Sequence, residues 1–296
     1  MDAAVRLTDV CKQYGGHRAV DGLSFSVPRG SIFGFIGPNG SGKTSTLRMI
    51  LHILHPDSGT IEVLGSTGTR AANDRIGYLP EERGLYRKMT VRRVLCYGAG
   101  LKGMRMREAR GEVDAWLERL GLSSWRDRKV EALSKGMQQK IQFISAVITR
   151  PELVILDEPF SGLDPVNLET LREVILELKR RGATVIFSSH DMAKAEELSD
   201  TICMIFKGKK VLDGTLAQIQ AQYGTDTVRI KAEGLAQGLA GLVQSVRDLG
   251  QLQEVRCPDP QALLRVLLQR GRVEHFEIAS PSLHDIFLRI AGEGSR

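Results

Sequence analysis

A chain of 296 residues with 42% hydrophobic side chains can bury one large core, or a large and a small one, and should be globular. Its four cysteines, Cys11, Cys96, Cys203 and Cys257, form no Cys-x-x-Cys pair, which argues against a disulfide framework or a zinc site and suits a reducing cytoplasm. The longest apolar runs, such as 202–206, fall far short of the ~20 residues that span a bilayer, so if membranes matter another polypeptide crosses them. The net charge of +6 is unevenly placed, for residues 83–150 hold sixteen Lys and Arg against six acids while residues 221–296 balance nine against nine.

In chain order, residues 5–14 read as a strand that runs into Gly15-Gly16, and residues 23–27 alternate as a half-buried strand before Pro28 and Gly30. Two antiparallel strands are expected here, with Tyr14 at the end of the first, where it can stack on an adenine ring or simply pack. Residues 31–36 form a short apolar strand. Then comes Gly37-Pro38-Asn39-Gly40-Ser41-Gly42-Lys43-Thr44, the pattern of a phosphate-binding loop. The glycines let successive backbone N–H groups turn inward, Lys43 brings a mobile positive charge, and the Thr44 hydroxyl is a hard oxygen ligand for magnesium. A helix over 45–54, with Leu47, Ile50, Leu51 and Leu54 at helical spacing, completes the strand, loop and helix that the pattern requires. That context outweighs the alternative of a ligand-free turn, and it makes Pro38, Asn39, Gly40, Ser41, Gly42, Lys43, Thr44 and Ser45 candidate contacts to a nucleotide triphosphate.

Strands are predicted at 60–64 and 75–79, the second ending at Pro80-Glu81-Glu82. Between residues 90 and 148 the pattern is mostly helical. Val113, Trp116, Leu117 and Leu120 mark an apolar stripe that Gly121 ends, and another helix begins near Ser134. The basic excess lies in this region; it is either a solvated helical face or a surface held near anionic headgroups or nucleic acid. At Leu133-Ser134-Lys135-Gly136-Met137-Gln138 a serine and a glycine stand at a helix start, where free N–H groups favour an anion and where Ser134 also reads as an ordinary cap.

Residues 153–158, Leu-Val-Ile-Leu-Asp-Glu, form a buried strand ending in two carboxylates, a costly arrangement unless a cation or a proton transfer awaits them. Alternate residues of a strand point oppositely, so Asp157 is expected to hold magnesium and Glu158 to orient and deprotonate the water that attacks the γ-phosphate. After a turn at Ser161-Gly162-Leu163-Asp164, a helix over 168–181 leads to a buried strand at 184–189. His190 at its end can donate to a γ-phosphate oxygen, or serve as a hydrogen-bonded strand-end residue.

The ordered set of Tyr14, residues 37–44, 133–138, 153–158, 161–164 and His190 resembles the nucleotide-binding subunit of an ABC transporter, over about residues 4–220. The resemblance implies a P-loop α/β ATPase with an antiparallel β subdomain and a helical subdomain at about 85–150. It implies ATP and Mg²⁺ as cofactors, and a separate integral-membrane subunit as partner at the cytoplasmic face of the membrane. It further implies a head-to-tail pair of ATPase subunits, a homodimer, in which Ser134 and Gly136 of one copy close over the ATP held by Lys43 and Thr44 of the other, with Asp164 also among the nucleotide contacts. Two departures stand out. The family's Leu-Ser-Gly-Gly-Gln has Lys135 and Met137 at its third and fifth places, and its usual glutamine after the 75–79 strand is Glu81, a carboxylate able to ligate magnesium.

Beyond residue 220 no further ATPase motif occurs. A strand at 227–232, helices at 235–249 and 260–269 and a strand at 273–278 predict a small α/β domain over 221–296. Ser280-Pro281 then reads as a cap and first-turn proline ahead of a stripe of Leu283, Ile286, Phe287 and Ile290. This tail is similar to the extension on half-size ABC ATPases of sodium, drug or antibiotic exporters. The rival reading, an ABC-type ATPase acting on ribosomes or nucleic acid, resembles two fused copies or one copy split by a coiled coil, neither of which is visible; no nucleic-acid partner is expected. Glu158, a base in place for hydrolysis, disfavours a non-enzymatic scaffold.

Overall fold

The computed structural model describes residues 2–67, 74–82, 84–224, 227–232 and 242–293. It divides into two compact units, Met1–Thr215 and Leu216–Arg296, a boundary five residues earlier than the composition change suggests.

In the first unit β1 (Ala3–Tyr14) and β2 (His17–Pro28) form an antiparallel hairpin, β3 (Ile32–Ile36) leads into α1 (Lys43–Ile50), and β4 (Ser58–Val63) returns beside β1. The resulting sheet runs β2-β1-β4. Helix α1 is shorter than its apolar spacing predicts: it begins at Lys43, and His52 at φ 53° turns the chain out of the helix ahead of Pro56. Leu54 still packs on the core as a loop residue.

Next come β5 (Ile76–Leu79), α2 (Val91–Leu101), α3 (Met106–Arg119), α4 (Lys135–Val147), β6 (Leu153–Leu156), α5 (Pro165–Arg180), β7 (Thr184–Ser189), α6 (Met192–Leu198), β8 (Thr201–Phe206) and β9 (Lys209–Gly214). The strands assemble in the order β5-β6-β7-β3-β8-β9, all parallel except β9. Strands β3, β6 and β7 are buried along their whole length, as a parallel sheet covered on both faces requires. The core lies between this sheet and the antiparallel one: Phe25 of β2 stacks on Phe33 of β3 with centroids 5.3 Å apart and tilts against Phe35 at 5.5 Å, and Leu47 and Ile50 of α1 join them. Because β3, β5, β6 and β7 run the same way, the loops after all four emerge along one edge, where ligands of open α/β sheets bind.

The helical segment is α2 to α4. Thr90 caps α2 by accepting from Arg93 N at 3.3 Å, Gly121 at φ 70° follows α3, and Trp116 meets Phe143 edge to face at 6.4 Å. Not all of its basic residues are free to meet a charged surface. Arg92 donates to Asp114 at 3.0 Å, and the Lys102 ammonium donates to the Ile76 carbonyl in a site whose burial lowers its pKa. Arg87, Lys88, Arg93, Arg105 and Arg107 are exposed.

The second unit contains α7 (Leu216–Tyr223), β10 (Thr227–Ala232), β11 (Ser245–Asp248), β12 (Gln253–Arg256), α8 (Pro260–Arg270), β13 (Val273–Ala279) and α9 (Leu283–Glu293). Its antiparallel sheet runs β11-β12-β10-β13, and Val228, Ile230, Val255, Cys257, Leu263 and Leu267 fill its core. Two expectations are corrected here. The tail of the helix predicted over 235–249 is the edge strand β11, paired Val246 to Val255, while residues 235–241 of that prediction lie outside the described residues. The cap of α9 is Ser282 instead of Ser280: its hydroxyl accepts from Asp285 N at 3.1 Å and pairs with the Asp285 carboxylate, a capping-box arrangement.

Candidate functional site

The loop between β3 and α1 is held open by contacts only glycine permits. A Cβ on Gly37 would stand 2.2 Å from the Ile205 carbonyl oxygen, and one on Gly42, at φ 107°, 2.3 Å from that of Ala19. Gly42 is the residue before α1, and the helix has neither a side-chain cap nor an acid in its first turn. Its first N–H groups and the positive end of its dipole therefore face the cleft without competition. Lys43 folds back into the loop, donating to the Gly37 carbonyl at 2.7 Å and the Pro38 carbonyl at 3.2 Å. Burial lowers its pKa, and the charges of Glu158, Asp157 and Glu81 oppose that shift.

Asp157 and Glu158 leave the end of β6 as neighbours, both buried. Strand alternation does not separate them, because β6 ends at Leu156; instead Glu158 takes φ 50°, a left-handed conformation unusual for a glutamate. Ser188 of β7 locks the pair. Its hydroxyl donates to Asp157 Oδ1 at 2.5 Å and accepts from Glu158 N at 2.9 Å. Glu158 Oε2 lies 3.0 Å from His190 Nδ1, and Oε1 lies 3.7 Å from Lys43 Nζ. A carboxylate accepts, so the tautomer that satisfies this pair is the one in which Nδ1 donates. Two buried oxygens, Asp157 Oδ2 and Glu158 Oε1, have no hydrogen-bond partner, an arrangement whose cost calls for a ligand.

A cleft of about 540 Å³ is lined by Tyr14, His17, Ala19, Asn39, Gly40, Gly42, Lys43, Thr44, Ser45, Glu81 and Glu158. Pro38 and Ser41 are not among its lining residues; they close the loop on itself, with Ser41 N donating to the Pro38 carbonyl at 3.2 Å. Tyr14 is half exposed, and its hydroxyl lies 3.4 Å from Ser45 Oγ. Thus the loops after β3, β5, β6 and β7, joined by the tip of the β1–β2 hairpin, bring together residues up to 176 positions apart, Tyr14 and His190 being the extremes.

Ser134, Gly136 and Asp164 do not line this cleft. Ser134 caps α4, accepting from Met137 N at 3.3 Å, and Asp164 caps α5, accepting from Asn167 N at 3.0 Å; that backbone bond, with the Asn167 side chain, keeps the Asp164 pKa low. A Cβ on Gly136 would meet nothing nearer than the Leu163 side chain at 3.7 Å. The fold of the chain itself gives no reason for glycine there. Ser188, His17 and Ala19 were not singled out by the sequence. The only signal for Ser188 is a polar pair, Ser188-Ser189, closing an otherwise apolar buried strand.

Comparison with known proteins agrees with this geometry. Over 288 residues, covering 96% of this chain and 97% of the relative, the sequence is 46% identical to the uncharacterized ABC transporter ATP-binding protein YhaQ of Bacillus subtilis. The chain belongs to the ABC transporter ATP-binding proteins. Residues 20–161 match the ABC transporter family, and residues 214–291 match the C-terminal domain of ATP-binding proteins like DrrA1-3. A Nod factor export ATP-binding protein I from Paraburkholderia xenovorans is 36% identical over 298 residues, 98% of each chain. Among solved structures, the ATP-binding subunit of an ABC transporter superposes with a TM-score of 0.70 and 30% identity, covering 75% of this chain and 93% of that one. As an ABC ATP-binding subunit the chain is an ATPase of the P-loop α/β class, and such subunits work with membrane subunits. Among its described residues, no helix is long and apolar enough to cross a membrane.

Proposed function

We propose that the chain hydrolyses ATP at the cytoplasmic face of the cell membrane, as one of a head-to-tail pair of ATPase subunits, to drive export through a separate membrane subunit. The observation that carries the hydrolytic part is the convergence of Lys43, Thr44, Glu81, Asp157, Glu158 and His190 at one sheet edge, with two buried carboxylate oxygens left without hydrogen-bond partners. Export is supported by the 36% identity to a protein named for Nod factor export. An apolar groove of about 450 Å³ between α2 and α3, with Tyr97, Leu101 and Met106 in its walls and Arg92, Arg93 and Arg110 at its rim, offers the membrane subunit a docking face.

The donor set fits magnesium, a hard cation held by few protein oxygens plus phosphate and water: Thr44, Asp157 and Glu81 would hold it, and when bound it neutralises phosphate charge. The triphosphate lies against the free N–H groups of α1 and the Lys43 ammonium. Glu158 Oε1 takes a proton from the attacking water, while the His190 Nδ1 proton holds Oε2 and so fixes the carboxylate. Tyr14 stacks on the adenine.

The pairing accounts for Gly136, which this chain's own packing does not require. Alanine at 136 is expected to leave melting temperature unchanged or raised, glycine costing up to ~1 kcal/mol against alanine in a helix. Turnover should fall about 10²-fold, because a methyl group displaces the partner's nucleotide from productive geometry. Thermal unfolding and phosphate release on the same sample check this; full activity in a stable Gly136→Ala variant contradicts the pairing.

A further inference from the structure

Helix α4 packs an amide where its neighbours are apolar. Ile141, Phe143 and Ile144 are fully buried, and Gln142 among them is only 6% exposed. A buried amide is costly unless its hydrogen bonds are met. Here Gln142 Nε2 donates to the Glu82 carbonyl at 2.9 Å and reaches the Pro80 carbonyl at 3.4 Å. These two carbonyls bracket Glu81, so one side chain grips the backbone on both sides of a residue that lines the cleft with Lys43 and Thr44. One turn earlier on the same face, Gln139 Nε2 donates to the Pro159 carbonyl at 2.6 Å, next to Glu158.

We propose that Gln142 is a positioning residue for Glu81: by holding the Pro80 and Glu82 carbonyls it aims the Glu81 carboxylate at the metal face of the bound nucleotide. The proposal rests on the reading of Glu81 as a magnesium ligand. Glu81 is exposed and the described residues 80–82 form neither helix nor strand; without the grip its carboxylate would sample solvent-facing orientations, and its charge would count for less both as a ligand to magnesium and as a repulsion toward bare ATP. The quantity it sets is therefore the ratio of ATP dissociation constants measured with a chelator and with magnesium.

The test is a double-mutant cycle by calorimetry on the full chain, using ATP with Mg²⁺ and ATP with a chelator. Glu81→Gln should narrow the ratio about tenfold, because a full negative charge close to the phosphates repels bare ATP and attracts the metal ion. Gln142→Met, equal in length and unable to donate, should narrow it in the same direction. The double variant should narrow it no further than Glu81→Gln alone. Gln142→Asn, which keeps the amide but is one methylene too short, should behave like Gln142→Met and serves if the latter folds poorly. If Glu81→Gln leaves the ratio unchanged, the reading of Glu81 as a ligand fails. If Glu81→Gln narrows it but the Gln142 variants lower only the melting temperature, or act additively with Glu81→Gln, the proposal for Gln142 alone is overturned.

Discussion

Replacing Glu158 by glutamine should leave ATP binding intact and slow turnover by about 10²–10⁴-fold, the usual worth of a general base. Glutamine has the same shape, and its carbonyl oxygen can still accept the His190 Nδ1 proton that Oε2 accepts at 3.0 Å. What it loses is the basic oxygen now buried without a hydrogen-bond partner 3.7 Å from Lys43. Removing a negative charge beside the γ-phosphate does nothing to weaken the ground state, so calorimetric affinity should hold or improve while phosphate release collapses. A variant that turns over at the wild-type rate removes Glu158 from the mechanism.

Lys43→Ala is expected to act on the other quantity. The ammonium is buried, and its bonds to the Gly37 and Pro38 carbonyls hold it where the phosphates enter. Hydrogen bonds to charged groups contribute about 1.5–3 kcal/mol, so ATP should bind about 10- to 150-fold more weakly. The fold should survive, since the loop geometry depends on Gly37 and Gly42 against the Ile205 and Ala19 carbonyls and not on the lysine side chain. Unaltered affinity in a folded Lys43→Ala variant overturns the phosphate-loop assignment.

Much of this site is legible in the sequence, because strand, glycine-rich loop and helix must follow one another in the chain for backbone N–H groups to face a phosphate. The apolar runs ending in Asp157-Glu158 and His190 mark the ends of parallel strands for the same local reason. What the sequence conceals depends on partners distant in the chain. The left-handed turn at Glu158 and its lock by Ser188 require β6 and β7 to lie side by side. Gln142 reads as one polar residue on a helix until its partners, about 60 residues upstream, are in place. The second unit shows the same limit. Leu242, Val243, Val246 and Leu249 lie at helical spacing, yet residues 245–248 pair with β12 through a turn in which Asp248 accepts from Gly250 N at 2.8 Å. Sheet pairing and a glycine turn at φ 87° outweigh the period of a short segment.

Head-to-tail closure of two copies around ATP is tested most directly by size exclusion of the Glu158→Gln chain with saturating ATP and magnesium, with and without a second substitution, Ser134→Arg. The single variant should elute as a dimer with ATP and as a monomer without it. The double variant should bind ATP with the same calorimetric affinity and stay monomeric, because Ser134 lies outside its own cleft and, in the proposed pair, would close over the partner's nucleotide. A Glu158→Gln chain that is saturated with ATP yet remains monomeric, or a dimer that survives Ser134→Arg, would contradict the claim.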